Sequence, residues 1–157
     1  ALHADALRRS STRGATVYTL SDKGSDAEAE ALAQKENRAD IIGGVDLGQE
    51  SEEVTGILID LAQRETRIHS TYFAKQLATG MKSATRFTSR PIRSAGFRVL
   101  KAPDVPSVLL ELGYLSSEQD VALLTSDAWQ EKTVSALVSA IDRFFARRIA
   151  EQGRDKG

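Results

Sequence analysis

The spacing of hydrophobic residues changes several times along this chain, between the two-residue period of strands and the 3.6-residue period of helices. Residues 15–20 (ATVYTL) are rich in β-branched and aromatic side chains and predict a strand. Ser25 or Asp26 could cap a helix that runs from Ala27 to about Asn37. Strong helix formers fill that segment, but it has few large apolar residues, so we expect it to pack weakly.

Two longer segments have apolar residues at helical spacing and predict long amphipathic helices. The first follows a polar, acidic loop predicted at 46–53 and should end near Gly80. The second lies near the end of the chain and terminates in charged residues. The apolar face of the first helix comprises Val54, Ile57, Leu58, Leu61, Ile68, Tyr72, Phe73 and Leu77. The apolar face of the second comprises Trp129, Val134, Leu137, Val138, Ile141, Phe144 and Phe145.

Two further apolar runs, 96–100 (GFRVL) and 107–112 (SVLLEL), predict short strands. Strands that alternate with helices are typical of the α/β class. We therefore expect a layered domain with a mainly parallel sheet flanked by helices. Its 157 residues fit one domain over 1–150, followed by a charged tail at 151–157.

Composition and charge narrow the possible functions. The 21 Lys and Arg nearly cancel the 22 Asp and Glu, so no overall basic field predicts nucleic-acid binding. Cysteine is absent, which excludes disulfides and thiolate metal sites. No apolar run is long enough to predict a membrane span. One stretch, 82–101, has six basic and no acidic residues; it is either a solvated surface or a contact for an acidic substrate.

His3 is a candidate metal ligand, because neutral imidazole commonly binds zinc. A single histidine is more often structural, and the pattern alone favours that alternative. The other histidine, His69, lies within the first long helix, where packing or a surface position is the simpler interpretation. Two histidines without cysteine cannot complete a closed structural zinc site unless carboxylates contribute.

Glu111 interrupts an otherwise apolar predicted strand. A carboxylate buried there costs several kcal/mol, in rough terms, unless it is paired or borders a polar cleft. Glu111 could simply point out of an edge strand. Alternatively it lies at the carboxyl end of a strand, where α/β sheets place their sites, and acts as a general base with a raised pKa. The residue pattern leaves both alternatives open.

Four blocks resemble, in order, the zinc-dependent N-acetylmuramoyl-L-alanine amidases, which cut the amide bond between N-acetylmuramic acid and L-alanine in peptidoglycan. The similarity extends from His3 to about Phe145 and implies the C-terminal portion of the amidase catalytic domain, with the N-terminal strands missing from this chain. The last of the four blocks is the most specific. The blocks are 2–6 (LHADA), 13–21 (RGATVYTLS), 36–45 (ENRADIIGGV) and 95–111 (AGFRVLKAPDVPSVLLE).

The resemblance implies roles for both candidate residues. His3 corresponds to a ligand of the catalytic Zn²⁺, and Glu111 to the catalytic glutamate that takes a proton from the attacking water. Further His and Glu ligands are expected upstream of this chain. By itself the chain is therefore expected to bind zinc poorly and to be inactive. The resemblance also implies a periplasmic location and peptidoglycan as the substrate.

Residues 24–53 resemble the insertion of the cell-division amidases. There a regulatory helix lies over the active site until an activator protein displaces it. The resemblance makes Glu36 the candidate inhibitory zinc ligand, with Glu30 as the second choice, although both could be solvated helix charges. An alternative function for the chain is a non-catalytic peptidoglycan-binding or regulatory module on the same fold.

Overall fold

A computed structural model describes residues 1–7, 11–42 and 53–154. Within these ranges the chain forms four strands, four α-helices and one 3₁₀ turn. Residues 43–52, which include most of the acidic loop predicted at 46–53, and residues 155–157 of the predicted tail lie outside the described residues. The strands are β1 (Leu2–His3), β2 (Ala15–Leu20), β3 (Phe87–Ala95) and β4 (Leu109–Glu111). The helices are α1 (Ala27–Ile42), α2 (Glu53–Gly80), α3 (Glu118–Leu124) and α4 (Asp127–Arg154), and the 3₁₀ turn is Arg98–Leu100.

The described strands form one sheet in the order β1-β4-β2-β3. β1 is parallel to β4, β2 is parallel to β3, and the central pair β2–β4 is antiparallel. The mainly parallel α/β sheet flanked by helices is therefore confirmed. None of the described helices is both long and apolar enough to cross a membrane.

Alternate residues of the strands point to opposite faces of the sheet, and each face has its own apolar cluster. Ala15, Val17 and Leu110 pack with residues of α2 and α4, among them Leu77 and Ala140. The opposite face is packed differently. There Tyr18 and Leu109 pack with Phe97 and with Ala29, Leu32 and Ala33 of α1.

The strand predicted at 96–100 is wrong. Phe97 and Leu100 are both buried, three residues apart, as in a 3₁₀ turn rather than in a strand of period two. The strand is instead β3, immediately before this turn. β3 contains Pro91, which a sheet tolerates because β3 is an edge strand and a proline there removes no ladder hydrogen bond from the interior.

Helix α1 begins as predicted, with the Asp26 carboxylate accepting a hydrogen bond from the Ala29 amide at 2.9 Å. It continues to Ile42 instead of ending near Asn37. α4 likewise remains helical to Arg154, so the tail predicted at 151–157 begins inside a helix.

The predicted apolar faces of the two long helices are correct only in part. α2 ends at Gly80 as predicted, but Leu61 and Ile68 are exposed. The side chains of 54, 57 and 58 lie outside the described residues. On α4, Phe144 is buried, whereas about half of the Phe145 side chain remains exposed. Val134 and Val138 are exposed as well, because small residues at Thr133 and Ala140 complete the buried face instead.

Candidate metal and catalytic site

His3 and Glu111 lie side by side at the ends of two neighbouring strands. β1 and β4 are parallel, and their register pairs His3 with Glu111 as the last residue of each strand. The carboxyl ends of adjacent parallel strands are where α/β sheets place functional groups. The sequence alternative that Glu111 points out of an edge strand is wrong, because β4 lies between β1 and β2.

The Glu111 carboxylate is fully buried. Its Oε2 accepts a hydrogen bond from the Asp5 backbone amide at 3.1 Å, and its Oε1 is buried without a hydrogen-bond partner among the described residues. Burial raises the pKa of Glu111 to about 8, and the negative charge of Asp5 adds to the rise. Near neutral pH this carboxyl group can therefore both hold and release a proton.

Three side chains beside Glu111 could hold a metal ion. His3 Nδ1 lies 2.9 Å from Glu36 Oε2 and 3.6 Å from Asp5 Oδ2. One potential ligand atom from each residue lies within 4.8 Å of the others. All three side chains are partly buried. One imidazole nitrogen and two carboxylates are a donor set that zinc accepts, so these residues fit a metal.

Asp5 joins the two parts of the site, and the sequence analysis gave it no role. Its carboxylate is paired with the ammonium group of Lys35 on α1. Burial alone would raise the pKa of Asp5, but the hydrogen bonds to Lys35 and Glu36 and the positive charge of Lys35 lower it. The i, i+2 spacing of His3 and Asp5 in an extended segment was the available signal, because such residues share a side of the chain.

The structure does not bring Glu30 or His69 to this site. The Glu30 carboxylate accepts hydrogen bonds from the Gly24 amide at 2.8 Å and from Gln34 at 3.5 Å, which stabilises the start of α1. His69 Nε2 lies 3.8 Å from Glu65 Oε1, one turn away on α2. The packing or surface role favoured for His69 thus agrees with its position.

A buried group of hydroxyls lies on the same sheet face as Glu111. Thr16 is the β2 register partner of Glu111. Its hydroxyl accepts from Tyr114 at 3.3 Å, and the Tyr114 and Tyr18 hydroxyls are 3.2 Å apart. Burial raises the pKa of both tyrosines. Both hydroxyls therefore stay protonated at neutral pH and are neutral polar groups on the sheet face of Glu111.

Asp120 of α3 holds two backbone segments next to these hydroxyls, one just before β2 and one just after β4. Its Oδ2 accepts hydrogen bonds from the Gly14 amide at 2.8 Å and the Tyr114 amide at 2.9 Å. Gly14 has φ +93°, and a Cβ at this position would lie 2.9 Å from the Arg86 carbonyl oxygen. The sequence analysis missed both Asp120 and α3.

A family model for N-acetylmuramoyl-L-alanine amidase matches residues 1–143. The chain belongs to the N-acetylmuramoyl-L-alanine amidase family. The family resemblance seen in the sequence is thereby confirmed. The chain is 32% identical to the amidase AmiA of Salmonella typhimurium over 145 residues, 92% of this chain and 50% of that protein. It is 31% identical to the amidase AmiC of Neisseria meningitidis over 153 residues, 97% of this chain and 36% of that protein.

Solved amidase structures share this fold. The N-acetylmuramyl-L-alanine amidase Ami1 from Mycobacterium smegmatis superimposes with a TM-score of 0.57 at 20% identity, covering 93% of this chain and 52% of that one. An N-acetylmuramoyl-L-alanine amidase from Clostridium difficile superimposes with a TM-score of 0.55 at 13% identity, covering 92% of this chain and 55% of that one. The chain thus spans about half the length, or less, of the curated amidases named above.

Proposed function

We propose that this chain contributes the catalytic glutamate and a zinc ligand to an enzyme that hydrolyses the amide bond between N-acetylmuramic acid and L-alanine. The observation that carries the proposal is the position of buried Glu111, beside a cluster of potential metal ligands. Family membership supplies the substrate. The reaction would serve cell-wall remodelling and daughter-cell separation in the periplasm.

His3 is the proposed ligand of the catalytic zinc. A zinc ion bound there would supply Lewis acidity and lower the pKa of water. The negative charges of Asp5 and Glu36 next to His3 favour a cation at this position. Asp5 also pairs with Lys35, which holds the β1 loop against α1.

Glu111 is the proposed acid–base group. Its Oε2 is fixed by the Asp5 amide, which leaves Oε1 as the oxygen that exchanges the proton. A pKa near 8 lets Glu111 take the proton of the attacking water and then give it to the departing L-alanine nitrogen. The buried surroundings keep bulk water from competing for that proton.

Substitution of Glu111 tests the mechanism. In the complete protein, Glu111→Gln should preserve the fold and the metal content, because glutamine has nearly the same shape. Release of peptides from purified cell wall should fall by roughly 100-fold or more, the scale of losing an acid–base group. Glu131→Gln, an exposed change on α4, is the control.

Near-normal cleavage by Glu111→Gln would remove this residue from the mechanism. If even the unmodified protein sediments with cell wall without cleaving it, the alternative of a non-catalytic wall-binding module gains support.

Substitution of the two histidines tests the metal site. His3→Ala should lower zinc content and activity together, whereas His69→Ala should change neither. Elemental analysis after dialysis measures the zinc content. Full zinc occupancy in His3→Ala would show that His3 is not a ligand.

The proposal includes inhibition by α1. Glu36 Oε2 lies 2.9 Å from His3 Nδ1, so α1 places a carboxylate at the proposed zinc ligand. A carboxylate there competes with substrate for the metal, which makes Glu36 the proposed inhibitory ligand. An activator protein that displaces α1 would then expose Glu111 and His3 to peptidoglycan.

A further inference from the structure

One side of helix α2 faces away from the sheet and carries a line of exposed residues. The side that packs on the sheet is buried, with Leu77 among its core residues. Seven residues make nearly two helical turns, so residues at that interval share one side of a helix. The outer flank of α2 carries such a line, about 30 Å long at 1.5 Å per residue. Its members are Leu61, Ile68, Lys75 and Lys82.

The two halves of this outer flank differ in chemistry. Leu61 and Ile68, in the amino-terminal half, are 64% and 70% exposed. Lys75 and Lys82, in the carboxy-terminal half, are exposed cations, and within the described residues no ion pair involves either. From residue 66 to residue 103 the sequence has no acidic side chain to neutralise them. The outer flank is therefore apolar at one end and positively charged at the other.

A groove of about 650 Å³ opens beside the positive end of the flank, between α2 and the start of β3. An irregularity of the sheet edge forms one wall. Between its pairings with Ala15 and Val17 of β2, β3 advances five residues while β2 advances two. The extra residues include Ser89 and Pro91, which line the groove. Its volume is within the range of pockets that bind small ligands.

The polar groups that line this groove are positive or neutral. Lys75, Lys82 and Arg86 supply three exposed cations, and Thr79 and Ser89 supply exposed hydroxyls. None of the described residues that line the groove is acidic. A phosphate group offers several acceptor oxygens and carries negative charge. Ammonium, guanidinium and hydroxyl donors are therefore the groups that it requires.

We propose that this groove binds the phosphate headgroup of an anionic phospholipid and that the outer flank of α2 lies on the surface of a lipid bilayer. The groove cations contact the headgroup phosphate, and each basic residue near an anionic leaflet adds to the attraction. Leu61 and Ile68 enter the boundary between headgroups and acyl chains, as the apolar residues of interfacial helices do. The contact is peripheral, since the chain rests on the bilayer.

The shape and chemistry of the flank favour a bilayer over a nucleic acid or a protein partner. Nucleic acids are bound by extended basic surfaces, whereas half of this line is apolar. A stable protein interface needs roughly 800 Å² of complementary surface on each partner. Leu61 and Ile68 stand about 10 Å apart on a convex helix and form no continuous apolar centre. A fluid bilayer can receive side chains spaced in this way without a matching surface.

Contact through α2 would also orient the candidate catalytic site. α2 packs on one face of the sheet, and α1 packs on the other face, where Glu36 meets His3. A bilayer under α2 therefore leaves this site pointing away from the lipid, which is towards the cell wall if the proposed function holds. The lipid contact itself does not depend on that function, because it uses none of the candidate catalytic or metal-binding residues.

Vesicle sedimentation tests the positive end of the flank without requiring turnover. The probes are vesicles of phosphatidylcholine alone and vesicles of equal parts phosphatidylcholine and phosphatidylglycerol. The charge variant is Lys82→Gln/Arg86→Gln. Its matched control, Arg38→Gln/Arg98→Gln, removes two charges from exposed positions on the α1 side of the sheet.

The chain should sediment with the phosphatidylglycerol vesicles but not with phosphatidylcholine alone. Raising the salt concentration from about 0.1 M to about 0.5 M should weaken binding, because it screens exposed charges. The charge variant should bind roughly 10- to 30-fold more weakly, the effect of two basic residues beside an anionic leaflet. The charge control should bind like the unmodified chain, and Lys82→Arg should retain binding.

A second pair of variants tests the apolar end. Leu61→Ser/Ile68→Ser should weaken binding to phosphatidylglycerol vesicles while the remaining binding stays sensitive to salt. Val134→Ser/Val138→Ser changes two exposed apolar residues of α4 and should have no effect. A thermal melt of each variant checks that it is folded.

Several results would overturn the inference. One is equal sedimentation of the charge variant and its control, and another is equal binding of the chain to both kinds of vesicle. If glycerol phosphate binds in a way that depends on Lys82 and Arg86 while vesicles do not, the ligand is a soluble phosphate and the bilayer contact fails. Binding of poly-L-glutamate with the same dependence, and no binding of vesicles, would assign the surface to an acidic protein instead.

Discussion

The two faces of the sheet are stabilised by different kinds of contact. On the α2–α4 face, large apolar side chains such as Leu77 and Met81 fill the core, and Phe73 stacks on Phe144 with ring centroids 4.6 Å apart. On the other face, α1 contributes mostly small residues, with Leu32 as the large exception. Ion pairs and hydrogen bonds hold the rest of α1: Arg93 with Glu28, Lys35 with Asp5, Glu36 with His3, and Asn37 with Gly96 and Arg98.

This difference suggests that the α2–α4 face is a stable scaffold and that α1 is the part that can be displaced. Apolar burial is non-directional and costly to reverse, so the α2–α4 face should stay packed whenever the domain is folded. Polar contacts can be exchanged for water or for a partner's groups at a smaller net cost. The helix proposed to cover the site is therefore attached by contacts that an activator could replace.

The largest expected effect on stability comes from replacing one buried leucine with alanine on each face of the sheet. Leu77 and Leu32 are 1% and 2% exposed. Leu77→Ala should cost about 2–5 kcal/mol of unfolding free energy, as is typical of a buried leucine. Leu32→Ala should cost less, because α1 can detach locally while the scaffold stays folded. Denaturant unfolding gives the global free energy of unfolding of each variant, and hydrogen exchange reports local detachment of α1. Equal losses of global unfolding free energy in the two variants would contradict a difference between the two faces.

A smaller effect is expected from the pH dependence of the metal-free chain. Because burial raises the pKa of Glu111 from 4.5 to about 8, the folded state binds more protons than the unfolded state between these values. The unfolding free energy should therefore decline as pH rises from about 4.5 to 8. Glu111→Gln should remove this decline and be more stable above pH 8, by on the order of a few kcal/mol.

Chemical denaturation in EDTA at pH 5 and pH 9 checks whether the unfolding free energy declines with rising pH. The gain from Glu111→Gln should be small at pH 5 and larger at pH 9, and the Glu131→Gln control should show no such trend. A variant that is less stable at pH 9 would contradict a raised pKa for Glu111.

The smallest effect in free energy is expected at Asn37. Its side chain donates to the Gly96 carbonyl and accepts from the Arg98 amide, both at 2.8 Å. Asn37→Ala should cost about 1–3 kcal/mol of local stability and release α1. In the complete protein, basal hydrolysis should then rise several-fold, since activity follows the open fraction.

Arg38→Ala, at another exposed position of α1, is the control for Asn37. Dye release from labelled cell wall gives the activity, and hydrogen exchange reports the release of α1. If α1 is released but hydrolysis does not rise, α1 is not the inhibitory cover.

The sequence correctly predicted those elements whose apolar residues repeat at a regular spacing and whose ends are marked by a capping residue or a glycine. β2, the Asp26 cap and the end of α2 at Gly80 agree with the structure for that reason. β3 was missed because it is an edge strand with polar residues and Pro91, so it lacks the apolar alternation of a half-buried strand. The apolar face of α4 was misassigned because small buried residues such as Ala140 carry little hydrophobic signal.

For the candidate site, the sequence by itself made Glu111 and His3 candidates, and the family resemblance assigned roles to both and added Glu36, because an isolated charge in an apolar run and a family motif are both local features. It could not show that Glu36 lies 2.9 Å from His3, or that the amide of Asp5 binds Glu111 from 106 positions away. Those contacts depend on strand order and register, which are set by long-range packing of the whole sheet. The raised pKa of Glu111 is equally tertiary in origin, since it arises from burial and from charges that only the folded chain brings together.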